Sequence, residues 1–200
     1  MSARRTRILR GLSLLAAVFA FGLVMFGAFV RLSNAGLSCP DWPTCYGQVT
    51  WPQHAQAVAH ADARFPGRPY EAHKAWREQV HRFLAGTLGV MVLLLALLAT
   101  WRKRGALLAV VVGSVFAAVG VGLYMRGEHQ WSSLLAACAI ALPLFAAARL
   151  PRPGAWKICV LALAVIIFQA MLGMWTVTLL LKPIVVTSHL LGGMLTFGLL

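Results

Sequence analysis

The chain is poor in charge and poorest in negative charge. Only 12% of its 200 residues are charged, and five acidic side chains stand against 18 Lys and Arg. A soluble globular domain carries about a quarter charged residues, so this scarcity, with 60% hydrophobic residues, excludes an ordinary soluble fold. Low-complexity tracts and internal repeats are also missing. The net charge of +13 is not a nucleic-acid footprint, because the basic residues sit in short clusters between apolar runs, where they orient membrane helices.

No small-residue cleavage pattern closes the first apolar run. Leu12 to Val30, behind Arg4, Arg5, Arg7 and Arg10, therefore reads as a retained first helix rather than a secretory signal peptide. Spanning a bilayer takes roughly 20 apolar residues at about 1.5 Å each. Six runs approach that length: 12–31, 82–101, 105–124, 131–150, 156–177 and 184–200. The Arg102-Lys103-Arg104 cluster and the Arg149, Arg152, Lys157 group alternate in parity with the basic N-terminus, which places all three in the cytoplasm. The 32–81 loop then lies outside; its Arg64, Arg68, Lys74 and Arg77 weigh less because long loops count little in this rule. The expected fold is an all-α membrane protein, a transmembrane bundle of about six helices forming one membrane domain over 1–200. The last run stops at Leu200 with no polar residue after it, which suggests that the natural protein continues.

Two histidines, His81 and His189, open descending helices at similar depth in the outer leaflet. An iron porphyrin needs axial nitrogens from opposite faces, and neutral imidazoles supply them. Gly86 and Gly89 after His81, and Gly192 and Gly193 after His189, would let a flat macrocycle approach the backbone. Each histidine alone is slightly better explained as a wet interfacial residue, and glycines in membrane helices more often serve helix packing than ligand clearance. The matched depth of the pair favours a metal or haem site.

Glu78, three residues before His81, shares its face if the helix starts early enough, and is the candidate acid–base group. A partner role for Arg77 or Arg82 explains it equally well on spacing. Arg82 and Arg77 are in turn candidates for binding haem propionates. In the outer loop, Cys39 and Cys45 are separated by five residues and lie outside the reducing cytoplasm, where a disulfide closing a Pro-rich turn is expected. Zinc ranks behind it, because the spacing of His54 and His60 fits no familiar ligand pattern. Cys138 and Cys159 fall at different depths and read as buried small apolar residues.

The segment Gly27 to Cys45, GAFVRLSNAGLSCPDWPTC, resembles the first helix end and outer loop of the bacterial haem A synthases that carry a cysteine pair. His73 to Arg82, HKAWREQVHR, resembles that family's Glu-x-x-His-Arg entry to the second helix. Gln169 to Thr178 followed by Pro183 to His189 is similar to the elements closing the family's first half. The resemblance implies a membrane oxidoreductase of the bacterial inner membrane. It would oxidise a porphyrin methyl group of haem O to formyl, through two hydroxylations and loss of water, giving haem A for terminal oxidases. It further implies His81 and His189 as ligands of the haem iron, Glu78 as the essential acid, Arg82 beside the haem, and Cys39–Cys45 as the loop disulfide. The implied partners are haem O as substrate, a haem O synthase, an electron donor and membrane lipid; a homo-oligomer is left open.

Two departures stand out. The family's halves are four-helix bundles, whereas 105–150 adds a helix pair that preserves the orientation of everything after it. Nothing here corresponds to the second half with its haem b. The alternative function is a bis-histidine b-type membrane cytochrome that passes electrons and would not require Glu78. A quinone-linked disulfide oxidoreductase would need a second outer cysteine pair; a purely structural assembly factor ranks last.

Overall fold

A computed structural model describes residues 3–150 and 154–200, so Arg152 of the expected cytoplasmic group lies outside the described residues. Seven helices and no named strand occur among them: α1 (Ala3–Leu32), α2 (Ala55–Arg64), α3 (Ala72–Thr100), α4 (Arg104–Met125), α5 (His129–Arg149), α6 (Trp156–Thr178) and α7 (Pro183–Leu199). Five of them, α1, α3, α4, α5 and α6, are long and apolar enough to cross a membrane, and α7 is a shorter apolar helix. The expected all-helical membrane architecture is thus observed, with each of the six apolar runs falling within one residue of a single helix's bounds. The short α2 was not anticipated: Ala55–Arg64 is ten residues of alanine mixed with polar side chains, half the length of a span.

The chain divides into two compact units. One comprises Met1–Phe21, Thr87–Gln169 and Gly192–Leu200; the other comprises Gly22–Gly86 and Ala170–Leu191. Helices α4 and α5 belong wholly to the first. After α4 the chain reverses at Gly127 (φ 85°), with Glu128 N–H donating to Leu123 O and Gly127 N–H to Tyr124 O, each at 3.0 Å. These two bonds satisfy the terminal carbonyls of α4 and return α5 alongside it. Glycines set the closeness of the two helices: a Cβ on Gly113 would sit 2.9 Å from Ala139 O, and one on Gly120 3.4 Å from Ser132 O. Such small-residue contact is how helices associate where lipid offers no hydrophobic drive. Val92, Leu95, Val110 and Val160 are fully buried in this unit. Cys138 and Cys159 are only half-buried, each on its own helix.

The second unit contains the histidines and a loop with a core of its own. Cys39, Cys45, Tyr46 and Ala61 of the loop pack with Ala75 of α3, and Trp51, Phe65 and Tyr70 close around them. Tyr46 meets Phe65 and Tyr70 edge-on at 5.5 and 5.4 Å, the arrangement that aromatic quadrupoles favour. Its hydroxyl donates towards Arg68 O at 3.2 Å and Pro69 O at 3.4 Å. Burial first, then the Asp62 carboxylate, push the Tyr46 phenol from 10.0 up to about 12.

A phenol held neutral in the fold but free to ionise when unfolded favours the folded loop only where the unfolded group keeps its proton. Stability of the loop is therefore expected to be flat below about pH 10 and to fall as pH rises towards about 12. Thermal unfolding followed across that range should show a shallower alkaline slope in Tyr46→Phe; an unchanged slope would assign the effect elsewhere.

Candidate functional site

Helix α3 begins at Ala72, ten residues ahead of the apolar run expected at 82. Ala75 N–H donates to Glu71 O at 2.9 Å, starting the helix within a polar segment. The segment stays helical because one face packs on the loop. Ala75, Glu78 and Gln79 are 0%, 4% and 1% exposed, and with Arg82 they follow the i, i+3, i+4, i+7 spacing of a single stripe. Gln79 Nε2 donates to Val49 O at 2.6 Å.

Glu78 is the polar centre of that stripe. Its Oε2 accepts from Ser38 N–H at 2.7 Å, Cys39 N–H at 2.9 Å and the Ser38 hydroxyl at 3.0 Å. Its Oε1 accepts from Arg82 NH2 at 2.6 Å, in an ion pair whose side chains are 12% and 6% exposed for Arg and Glu. Arg82 NH1 reaches two loop carbonyls, Asp41 O at 2.8 Å and Thr44 O at 2.7 Å. The sulfurs of Cys39 and Cys45, 2.01 Å apart, close the turn that these bonds hold. Sequence spacing paired Glu78 with Arg82; it could not show that both also grip the cysteine turn.

His81 lies about 60° round the helix from Glu78, since each residue turns the helix by about 100°. That offset points it away from the loop and at α1. Its ring stacks on Phe26 at 6.2 Å between centroids, and a Cβ on Gly27 would come within 2.9 Å of its Cε1. One turn earlier on the same face, the Arg77 guanidinium lies over the Phe29 ring at 5.0 Å. His189, on α7, has a matching neighbour: a Cβ on Gly173 of α6 would lie 3.3 Å from its Cε1. The turn between those helices brings them together, with Leu181 N–H donating to Thr176 O at 2.8 Å and Leu180 in the left-handed region at φ 52°. The two imidazoles are near enough to interact electrostatically.

The glycines that clear the histidine rings are thus Gly27 and Gly173 on neighbouring helices. Gly86 and Gly89 face open space, and Gly192 is pressed by the Gln169 side chain. The reason is the direction of helical side chains, which lean back towards the N-terminus and away from residues one or two turns ahead. A helix-to-helix contact has no signal in a single sequence.

What this pair could hold follows from ligand number. No group of three or more His, Cys, Asp or Glu converges on a point among the described residues, and a bare zinc ion takes three or four protein ligands. His54 and His60 are both exposed at the α2 segment. A porphyrin brings its own four equatorial nitrogens and asks the protein only for axial ones. Two half-buried imidazoles in one unit, each with a glycine against its ring, suit that demand. The buried Nδ1 of His81 has no hydrogen-bond partner among the described residues.

Three curated relatives bear on the site. Over 183 residues, 92% of this chain and 41% of the relative, it is 36% identical to the haem A synthase of Shewanella oneidensis. It is 31% identical over 100 residues to that of Bacillus licheniformis, covering 50% of this chain and 27% of the relative. With that of Allorhizobium ampelinum it shares 33% identity over 99 residues, 44% of this chain and 26% of the relative. The chain spans less than half the length of each relative. No solved structure matches it. Residues 10–200 match the COX15-CtaA model, described as cytochrome oxidase assembly protein, and the chain therefore belongs to the COX15-CtaA family.

Proposed function

We propose that this chain is the haem O-binding half of a haem A synthase in the bacterial inner membrane, with its N-terminus cytoplasmic and the 32–81 loop outside. The observation that carries the reading is the placement in one unit of two imidazoles, His81 and His189, each with a glycine of a neighbouring helix against its ring. His81 and His189 would ligate the iron of haem O. The glycine contacts at Gly27 and Gly173 hold each ring on edge against a neighbouring helix. When bound, haem O supplies the methyl group that is oxidised to formyl. Around it, Glu78 handles protons, Arg82 positions the Glu78 carboxylate through their ion pair, and the Cys39–Cys45 disulfide keeps the turn that donates to Glu78 in place. The haem b of the synthase, the haem O synthase and the electron donor belong with the remainder of such an enzyme.

The purified protein is expected to show a low-spin haem spectrum that His81→Ala and His189→Ala each abolish. Cells depending on it should make haem A only with both histidines present. A haem-free wild-type preparation from haem-replete cells would sink the proposal.

A bis-histidine cytochrome is the second reading, favoured by one observation: both Glu78 oxygens are already engaged by protein donors. It predicts normal haem A levels in a strain carrying Glu78→Gln.

A further inference from the structure

Glu78 is 4% exposed, so any proton it takes up or releases must travel through a neighbour. Its hydrogen-bond partners are the Ser38 and Cys39 amides, the Arg82 guanidinium and the Ser38 hydroxyl. A backbone amide does not give up its proton on a useful timescale, and an arginine does not deprotonate in a protein. A hydroxyl differs, because it accepts one proton on a lone pair while releasing its own.

Ser38 also has somewhere to send it. With Asn34, Arg68, Pro69, Glu71 and Lys74 it lines a cavity of about 270 Å³, whose Asn34, Pro69 and Glu71 are exposed. The Ser38 hydroxyl has two acceptors, Ala35 O at 2.6 Å and Glu78 Oε2 at 3.0 Å. Its single hydrogen serves one at a time. With Glu78 ionised it can point at the carboxylate. With Glu78 protonated, the carboxyl O–H donates to Ser38 Oγ and the serine hydrogen leaves the carboxylate, turning to Ala35 O at rest and to cavity water for transfer.

We propose that Ser38 is the proton relay between Glu78 and this surface cavity, a positioning residue that joins the buried carboxylate to water. The inference rests on Glu78 handling protons, as the proposed function has it. In the outward step the Glu78 O–H bond breaks as a new Ser38 Oγ–H bond forms. The original serine proton passes to a water in the cavity, and the return step reverses both transfers. No electrons move. The Glu71 carboxylate is held low by its hydrogen bond from Lys74, so it stays ionised at the cavity and favours the arriving proton.

The test is infrared spectroscopy of the whole protein in membranes, at a pH low enough for the Glu78 carboxyl O–H form to appear, with its band assigned by its loss in Glu78→Gln. After transfer to D2O, Ser38→Ala is expected to slow exchange of that band by about tenfold or more, while Ser38→Thr restores it. Ser38→Ala keeps both amide donors, so a purely structural role of Ser38 would leave the exchange rate unmoved. Pro69→Trp, which fills the cavity mouth without touching Glu78, is expected to slow exchange as well and decides the matter should Ser38→Ala not fold. Wild-type exchange rates in both variants would overturn the relay. A wild-type protein that binds no haem when purified from haem-replete cells would instead remove the functional reading, whatever the exchange rates.

Discussion

Glu78→Ala is expected to release the cysteine turn and destabilise the loop by about 3–5 kcal/mol, the usual cost of removing one partner of a buried ion pair. The variant leaves Arg82 buried without its countercharge and deprives the Ser38 and Cys39 amides of their acceptor. Each orphaned donor adds to the loss, because a buried polar group without a partner carries its full desolvation cost. Glu78→Gln keeps the volume and one acceptor oxygen, so it is expected to fall between wild type and Glu78→Ala in stability while losing all proton chemistry. Trypsin digestion reads the first effect directly, since the Arg64–Phe65 bond lies in the loop. Glu78→Ala should be cut there much faster than wild type, with Glu78→Gln intermediate. Equal protection of all three proteins would show that the carboxylate is not what holds the turn. Haem O accumulation with an intact loop in Glu78→Gln separates the chemical role from the architectural one.

Gly27→Ala is expected to lower the haem affinity of the proposed site through the His81 ring. An added Cβ would stand 2.9 Å from His81 Cε1, too close for carbon to carbon, and the ring is already bounded by Phe26. The imidazole must rotate or shift, and with it the nitrogen offered to iron. A displacement that weakens haem binding about tenfold corresponds to about 1.4 kcal/mol, and Gly27→Val should exceed it. Gly173→Ala is the graded control: its Cβ would meet His189 Cε1 at 3.3 Å, a contact relieved by a few tenths of an ångström. Haem titration of the two variants should rank Gly27→Ala well below Gly173→Ala. Equal affinities would mean that the His81 ring relocates freely and that Gly27 is merely a packing position.

The site was legible wherever chemistry is written in residue type and short spacing. His81 and His189 stand out as imidazoles at the mouths of apolar helices, and Glu78 as one of five acids, three residues from a histidine. The cysteine turn was readable from compartment, since both Cys39 and Cys45 fall in a loop expected outside the reducing cytoplasm. Gly27 and Gly173 were not legible, nor was Ser38. Each acts on a residue in a different element, and one sequence carries no signal for contacts between elements. The α2 helix escaped as well, because a short polar helix has no periodicity that a turn-rich loop lacks; it is held by the aromatic core around Tyr46.

By itself the sequence determined that the chain is helical and membrane-spanning, where its six apolar runs lie, and which imidazoles and acid are candidates for chemistry. Those properties follow from local composition, because burying a backbone in lipid demands long apolar helices and leaves few places for polar groups. Only the tertiary structure decided what those residues face. It began α3 ten residues early, turned Glu78 and Arg82 onto the cysteine loop and set a glycine against each histidine. The physical reason is that side-chain direction is fixed by helix phase and by the packing of a neighbouring element, and that partner is chosen only when the chain folds.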